Sequence, residues 1–303
     1  MKVRIIRSTG SWYWAQNENK EIFKCRLRGI FKNEGMKLTN PLAVGDWVNI
    51  EAEDQQNNSF LIDEILPREN YLIRKSSRNV HNNHIIAANI DQAVLFATIR
   101  EPRTSLGFID RFLVSAEAYR IPAIIVFNKS DVYKTKDFEK YELYKSYYDR
   151  LSYPCYLTSV EKKEGIDVLK QLLANKTSLI AVHSGVGKSS VINAINSNLT
   201  LRTGEISKFS SKGTHTTTFA EMFEVFENSY IIDTPGIKEM AVADMHKNEL
   251  KDQFPEIRSY LNQCKFDNCL HLEEPNCKVR QAVDNEEIAE WRYLSYLSIL
   301  AEL

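Results

Sequence analysis

The chain has 303 residues, a length that suggests two or three domains. Its 39 Lys and Arg against 40 Asp and Glu leave a formal charge of −1, which excludes a globally basic nucleic-acid coat and an acidic, disordered chain. At 43% hydrophobic residues it has the material for packed cores, and its 11 Gly and 8 Pro are too few for a low-complexity polymer.

Residues 1–75 read as short strands at Val3–Arg7, Trp12–Trp14, Ile22–Leu27, Trp47–Ile50 and Phe60–Ile65. Turn residues punctuate them at Thr9-Gly10, Asn17–Asn19, Asn33-Glu34-Gly35 and Asn57-Asn58. Five short strands without a helical pattern point to a small barrel or sandwich, the OB type first. Residues 1–40 carry nine basic and three acidic residues, a local +6, whereas residues 41–75 carry three and seven, a local −4. The basic part is either a solvated strand face or an RNA-facing surface with Trp12, Tyr13 and Trp14 as stacking groups.

From residue 76 strands alternate with helices. Strands are predicted at Ala93–Ile99, Ala123–Phe127, Pro154–Leu157 and Ser178–Val182, and helices at Ile109–Tyr119, Phe138–Leu151, Ile166–Ala174 and Lys188–Asn196. A strand pair, Phe219–Phe226 and Tyr230–Asp233, follows. This βα alternation implies a mostly parallel sheet with helices on both faces and ligands at the carboxyl ends of its strands. From about residue 245 the chain is helical and mixed in charge, ending in the amphipathic stretch Glu286–Leu303. The apolar runs Ala93–Ile99 and Ile121–Phe127 are far too short to span a membrane. The N-terminus lacks an export core, so secretion is not expected.

After the strand Ser178–Val182 and His183 comes Ser184-Gly185-Val186-Gly187-Lys188-Ser189-Ser190, immediately before a helix. Backbone N–H groups and a helix N-terminus there would cradle phosphates, Lys188 would reach the β- and γ-phosphates, and Ser189 would bind Mg²⁺. The full pattern has Gly where this chain has Val182. Asn128-Lys129-Ser130-Asp131 follows another strand. A carboxylate at Asp131 can accept from N1 and N2 of guanine, a donor pair that adenine lacks; Asn128 would brace the loop and the Lys129 stem would cover the base. Thr158-Ser159-Val160 is a weaker signal, with backbone toward the guanine edge.

Asp233-Thr234-Pro235-Gly236 would place Asp233 toward Mg²⁺ through water and the Gly236 N–H toward the γ-phosphate. In Gly213-Thr214-His215-Thr216-Thr217-Thr218 a threonine, taken as Thr216, would complete the Mg²⁺ shell, and the polar stretch Ser207–Lys212 before it suits a switch. His215 is either a water-positioning catalytic group or a polar loop histidine. Ile237 stands where Ras-like enzymes carry a water-orienting Gln, so slow hydrolysis is expected in isolation, about 10⁻⁴–10⁻² s⁻¹.

Order matters here. The guanine motif precedes the phosphate loop, and Asp233–Gly236 follows both, so the GTPase sheet is circularly permuted and its switch leads directly into the C-terminal segment.

The five cysteines are an odd set for a disulfide framework. Cys25 and Cys155 read as buried small hydrophobes. Cys264, Cys269, His271 and Cys277 lie within fourteen residues and can complete a closed, structural zinc tetrahedron, the alternative being buried free thiols. That zinc would hold a segment with no core of its own.

Together these motifs, with Ala88-Asn89-Ile90-Asp91 at the entry to the core, closely resemble the bacterial ribosome-small-subunit-dependent GTPase A family (RsgA, also called YjeQ or YloQ) over the whole chain. The resemblance implies an OB-like barrel over 1–75, a circularly permuted P-loop α/β GTPase core over 76–240 and a helical zinc-binding segment over 241–303. It further implies a cytoplasmic, monomeric factor with GTP or GDP, Mg²⁺ and one zinc. Such a factor binds the small ribosomal subunit and its rRNA late in assembly, with hydrolysis stimulated by the ribosome and coupled to release. Two other readings compete. A phosphate-loop kinase or ATPase is opposed by Asp131, and an RNA-binding module with a vestigial core is opposed by the intact Lys188, Ser189 and Asp233. Gly185, where potassium-activated GTPases carry Asn, disfavours a potassium requirement.

Overall fold

The computed structural model describes residues 1–9, 11–29, 41–54, 59–75, 83–182, 185–196, 220–233 and 245–303. Five strands build the N-terminal barrel: β1 (Lys2–Ser8), β2 (Tyr13–Gln16), β3 (Ile22–Leu27), β4 (Trp47–Asp54) and β5 (Ser59–Ile65). They run in the order β1-β2-β3-β5-β4, and β4 pairs back onto β1 to close the barrel. Inward-facing Val3, Ile5, Ala15, Cys25, Val48, Ile50 and Ile62 alternate with outward polar residues and form its core.

Tyr13 belongs to that core at 3% exposure, which corrects its expected role as a stacking group. The period-2 pleat turns Tyr13 inward and its neighbours Trp12 and Trp14 outward, half-buried. Lys24 lies over the Trp12 ring at 4.2 Å and Arg7 over Trp14 at 5.1 Å. The charge split of the barrel is partly neutralised across its wall, where Arg26 of β3 and Arg28 just beyond it meet β4 carboxylates in the pairs Arg26–Glu53 and Arg28–Glu51.

A hairpin that the sequence pattern did not announce, β6 (Tyr71–Lys75) and β7 (Asn83–Ala88), links barrel and core. The Ala88–Asp91 motif staples this junction. Asn89, in the left-handed region, donates to the Gly45 carbonyl and accepts from the Glu69 N–H, both at 3.0 Å, while Asp91 accepts from Thr177 N–H at 2.6 Å. Half-buried Arg4 on β1 reaches across to the Asn89 carbonyl at 3.0 Å.

The core sheet contains β8 (Gln92–Ala97), β9 (Ala123–Phe127), β10 (Cys155–Leu157), β11 (Thr177–Val182), β12 (Glu221–Phe226) and β13 (Ser229–Asp233). Its order is β10-β9-β8-β11-β13-β12, all parallel except β12. Strands β8, β9 and most of β11 read as unbroken apolar runs because both faces are covered. Ala93, Leu95 and Ala97 pack on one side, Val94 and Phe96 on the other. The covering helices are α1 (Leu106–Ala118), α2 (Thr135–Arg150), α3 (Ile166–Leu173) and α4 (Lys188–Ile195). Strand β12 also bridges to barrel strand β1 at Arg7 and Glu221, so the two sheets are continuous.

The C-terminal segment has single helical turns at Lys247–Leu250 and Pro255–Arg258, then α5 (Lys278–Asp284) and α6 (Glu290–Glu302). It has a hydrophobic core after all, formed by Leu250, Phe254, Ile257, Val279, Ile288, Tyr296, Ile299 and Leu300, with Val114 of α1 completing it. This corrects the expectation of a coreless segment: the amphipathic stretch places Ile299 and Leu300 against the helical turns. Cys25 and Cys155 are buried, and burial pushes the Cys25 thiol up to about 12. No helix among the described residues is long and apolar enough to cross a membrane.

Candidate functional site

The parallel register brings the carboxyl ends of the parallel strands to one edge. Phe127 at the end of β9 is level with Ala97 of β8 and Leu157 of β10, and Val182 of β11 is level with Phe96. Asp233, the last residue of β13, pairs with Ile180. The carboxyl ends of β8, β9, β10, β11 and β13 therefore lie along the same edge of the sheet, as a parallel sheet with right-handed crossovers requires.

Val182 ends β11 as an ordinary strand residue with its side chain against the Val94–Phe96 face, so the strand needs no glycine at that point. Beyond it, Gly185 and Gly187 both have positive φ, +85° and +99°. A Cβ on Gly187 would lie 2.8 Å from the Asn128 Nδ2, and one on Gly185 would lie 3.3 Å from Pro102. Only glycine fits both the conformation and the close approach at residue 187. Gly187→Ala is therefore expected to displace Asn128 and cut nucleotide affinity at least about tenfold, read by titration with labelled GDP. Lys188, Ser189 and Ser190 form the first turn of α4, all half-buried.

Buried Asn128 ties the loops together. Its Nδ2 donates to the Val186 carbonyl at 2.8 Å, and its Oδ1 accepts from the Thr158 hydroxyl at 3.0 Å. Lys129 is left-handed, at φ +65°, and its ammonium donates to the Glu101 carbonyl at 2.9 Å. Asp131 is half-buried, and its Oδ1 accepts from the Ser159 hydroxyl at 2.6 Å. Ser130 is held by the Thr158 carbonyl at 3.1 Å through its N–H and by Glu164 at 3.3 Å through its hydroxyl. Thr158 and Ser159 thus meet Asn128 and Asp131 through their side chains, where sequence reasoning assigned only backbone. The loop 98–104, which supplies Glu101 and Pro102 to this edge, carries no recognisable motif and was missed.

The structure brings together Asn128, Lys129, Ser130, Asp131, Thr158, Ser159, Val182, Gly185, Val186, Gly187, Lys188, Ser189 and Ser190. It places the backbone of Asp233 at the same edge. His183, Ser184, His215, Thr216 and Gly236 lie outside the described residues, as do Ile237 and the stretch Ser207–Lys212.

The second site is the cysteine cluster. One ligand atom from each of Cys264, Cys269, His271 and Cys277 lies within 4.8 Å of the others. His271 Nδ1 is 3.4 Å from the sulfurs of Cys269 and Cys277 and 3.7 Å from that of Cys264; Cys264 and Cys277 are 3.9 Å apart. A tetrahedron with zinc–sulfur bonds of 2.3 Å and zinc–nitrogen bonds of 2.0–2.1 Å has edges of about 3.8 Å and about 3.5 Å. The four residues fit zinc, and because a full set of protein ligands leaves no open position, a zinc held there would be structural rather than catalytic.

The loop carrying them is braced by three side chains. Glu274 accepts from the N–H groups of Leu270 and Leu272 at 2.7 Å each. From α6, Tyr293 donates to the His271 carbonyl at 2.6 Å and Tyr296 to that of Leu270 at 2.8 Å. Burial lowers the His271 pKa to about 4, so the imidazole is in its neutral, ligating form.

Comparison with known proteins agrees with this layout. The profile of the RsgA GTPase family matches residues 65–243, and that of the RsgA N-terminal domain matches residues 3–59. The small ribosomal subunit biogenesis GTPase RsgA of Cytophaga hutchinsonii is 50% identical, covering 100% of this chain and 98% of its own. The chain belongs to the RsgA GTPase family. The Bacteroides fragilis RsgA is 46% identical, covering 100% of this chain and 97% of its own. Among solved structures, YjeQ from Thermotoga maritima matches with a TM-score of 0.81 at 34% identity, covering 100% and 98% of the two chains. YloQ, a circularly permuted GTPase, matches at 0.75 and 31%, covering 99% and 94%. As an RsgA family member the chain is a GTP-hydrolysing enzyme with an OB-like barrel, a circularly permuted core and a Cys3His cluster.

Proposed function

We propose that this chain acts late in assembly of the small ribosomal subunit. It binds the subunit and its rRNA, and its GTP hydrolysis is stimulated by the subunit and coupled to release. The observation that carries this reading is the convergence of Asn128–Asp131 and Gly185–Ser190 at one sheet edge, joined by the Asn128 to Val186 hydrogen bond, in a chain that aligns end to end with proteins named for small-subunit biogenesis.

Each residue then has a task. Asp131, oriented by Ser159, accepts from N1 and N2 of guanine, which excludes ATP. The Lys129 stem covers the base. Backbone N–H groups of Ser184–Ser190 and the N-terminus of α4, with Lys188, hold the phosphates. Mg²⁺ held by Ser189, with Asp233 and a switch threonine such as Thr216 completing its shell, would neutralise charge on the β- and γ-phosphates. The Gly236 N–H senses the γ-phosphate. His215 is the candidate for positioning the attacking water. Because Ile237 replaces the orienting Gln, most of the rate waits on the ribosome.

The barrel offers Trp12 and Trp14, flanked by Arg7, Lys24 and Arg26, as an rRNA-facing patch. The zinc cluster shapes a second contact surface. This reading makes the protein a cytoplasmic factor that works as a monomer.

GTP turnover with and without purified small subunits tests it, with Lys188→Ala as the blank. Subunits are expected to raise turnover at least about 10²-fold over an intrinsic rate of about 10⁻⁴–10⁻² s⁻¹, and Lys188→Ala to abolish both. Turnover indifferent to subunits would end the ribosome-coupled reading, and wild-type turnover in Lys188→Ala would end the phosphate-loop assignment.

A further inference from the structure

We propose that Tyr133 is a positioning residue for nucleotide binding: its hydroxyl clamps the loop 98–104 to the Asn128–Asp131 loop and so holds Lys129 and the phosphate loop in register. The proposal rests on the reading of this sheet edge as the guanine nucleotide site.

Tyr133 lies two residues past Asp131, just after the short turn Ser130–Val132, and its ring is buried in the main core, edge-on to Phe138 at 5.7 Å. The hydroxyl is the junction. It accepts the Ile99 N–H at 3.0 Å and donates to the Asn128 carbonyl at 2.9 Å, both bonds buried. Burial pushes the phenol pKa upward, so the group keeps the proton it donates. A hydroxyl placed to satisfy a backbone donor from one loop and a backbone acceptor from another fixes their separation, and few other side chains can bridge them.

Both loops touch the nucleotide edge. Loop 98–104 is closed on itself by Thr98 N–H to the Thr104 hydroxyl at 3.0 Å and by Thr104 N–H to the Thr98 carbonyl at 2.9 Å. At its tip Glu101, left-handed at φ +49°, presents its carbonyl to the Lys129 ammonium at 2.9 Å. Pro102 stands 3.3 Å from where a Gly185 side chain would begin. The Asn128 loop in turn grips Val186. Two non-glycine residues in the left-handed region, Glu101 and Lys129, persist only where their surroundings hold them, and the Tyr133 hydroxyl is the buried link between their loops. Without it, the nucleotide would have to order both loops as it binds, and affinity would fall.

Tyr133→Phe keeps the ring and removes only the hydroxyl, leaving a buried N–H and carbonyl short of a partner. Titration with labelled GDP is expected to show a Kd about tenfold higher than wild type, with the same loss appearing in KM for GTP rather than in kcat. Tyr153→Phe is the control. It removes another buried tyrosine hydroxyl, bonded to Glu117 at 3.0 Å, and is expected to lower the melting temperature comparably while leaving the GDP Kd at the wild-type value. Thr104→Val loosens the same loop from its far end and is expected to raise the Kd about threefold or more, which keeps the test alive if Tyr133→Phe does not fold. A Kd for Tyr133→Phe within about twofold of wild type, or no larger a change than in Tyr153→Phe, would overturn the clamp. An unchanged Kd in Thr104→Val would remove loop 98–104 from it. Failure of the wild-type chain to bind GDP at all would instead overturn the guanine-site reading, and the clamp with it.

Discussion

Stripping the metal from the Cys264, Cys269, His271 and Cys277 cluster is expected to unfold residues 261–277 and leave the parallel sheet intact. Elemental analysis of protein purified without chelators should find about one zinc per chain. Between the turn Pro255–Arg258 and α5 the chain has no regular secondary structure, and its share of the segment's core is small: Cys269 and Cys277 themselves, with Tyr260, Cys264 and Leu270 packed at the edge. His271 and Asn276 sit in the left-handed region, at φ +61° and +58°. Three thiols and an imidazole confined within 4.8 Å would, without an ion, lose the bonds that draw them together and leave the loop to its conformational entropy. Binding free energies of structural zinc run to about 10–16 kcal/mol, more than any single side chain supplies. Hydrogen exchange after chelation checks this. Loss of protection at the Leu270 and Leu272 amides, with β8 and β11 still protected, is the expected pattern. Protection unchanged in protein shown to be metal-free would mean that Glu274 and the two α6 tyrosines hold the loop by themselves.

Arg292→Ala is expected to cost about 3–5 kcal/mol in denaturant unfolding. Arg292 lies within α6 and is fully buried. Its Nη1 donates to Asp110 of α1 at 2.8 Å, and Nε and Nη2 form a fork on Glu256 at 2.5 and 3.2 Å. Asp110 also accepts from Ser295 at 2.5 Å and from Tyr148 of α2 at 2.7 Å, and the guanidinium stacks over Phe254 at 4.6 Å. Burial alone would lower the guanidinium pKa, but Asp110 and Glu256 outweigh it and drive it well above the usual value. The alanine variant leaves two buried carboxylates facing each other with no cation between them. Neutralising the whole set, as Arg292→Met with Asp110→Asn and Glu256→Gln, should recover most of the loss, because no uncompensated charge is then buried. The same network joins the zinc segment to α1 and α2 of the GTPase core, so the single variant should also speed proteolytic removal of the C-terminal segment. A loss below about 1 kcal/mol would show that apolar packing through Val114 suffices.

The sequence by itself determined the architecture and pointed to most residues of the candidate site. Alternation in residues 1–75 marked the barrel, and unbroken apolar runs marked strands buried on both faces. The glycines and Lys188 between a strand and a helix marked a candidate phosphate loop, and the order of the motifs revealed the permutation. The barrel, the buried strands and the glycine loop are local signals, carried by a few neighbouring residues, whereas the permutation is read from the order of motifs along the chain.

Only the tertiary structure decided what depends on partners distant in the chain. Tyr13 looked like one of three adjacent aromatics until strand register turned it inward. The β6–β7 hairpin is specified by the junction between barrel and core that it fills. Arg292 sat in a mixed-charge stretch, indistinguishable from a solvated arginine. Asp110, 182 residues away, and Glu256 make it a buried link. Tyr133 carried no motif, since its meaning lies in Ile99 and Asn128, which reach its hydroxyl from two separate loops. Spacing along a chain specifies contacts within a helix or a turn. Contacts across a fold are chosen by which surfaces pack, and burial then sets the strength of the hydrogen bonds and ion pairs made there.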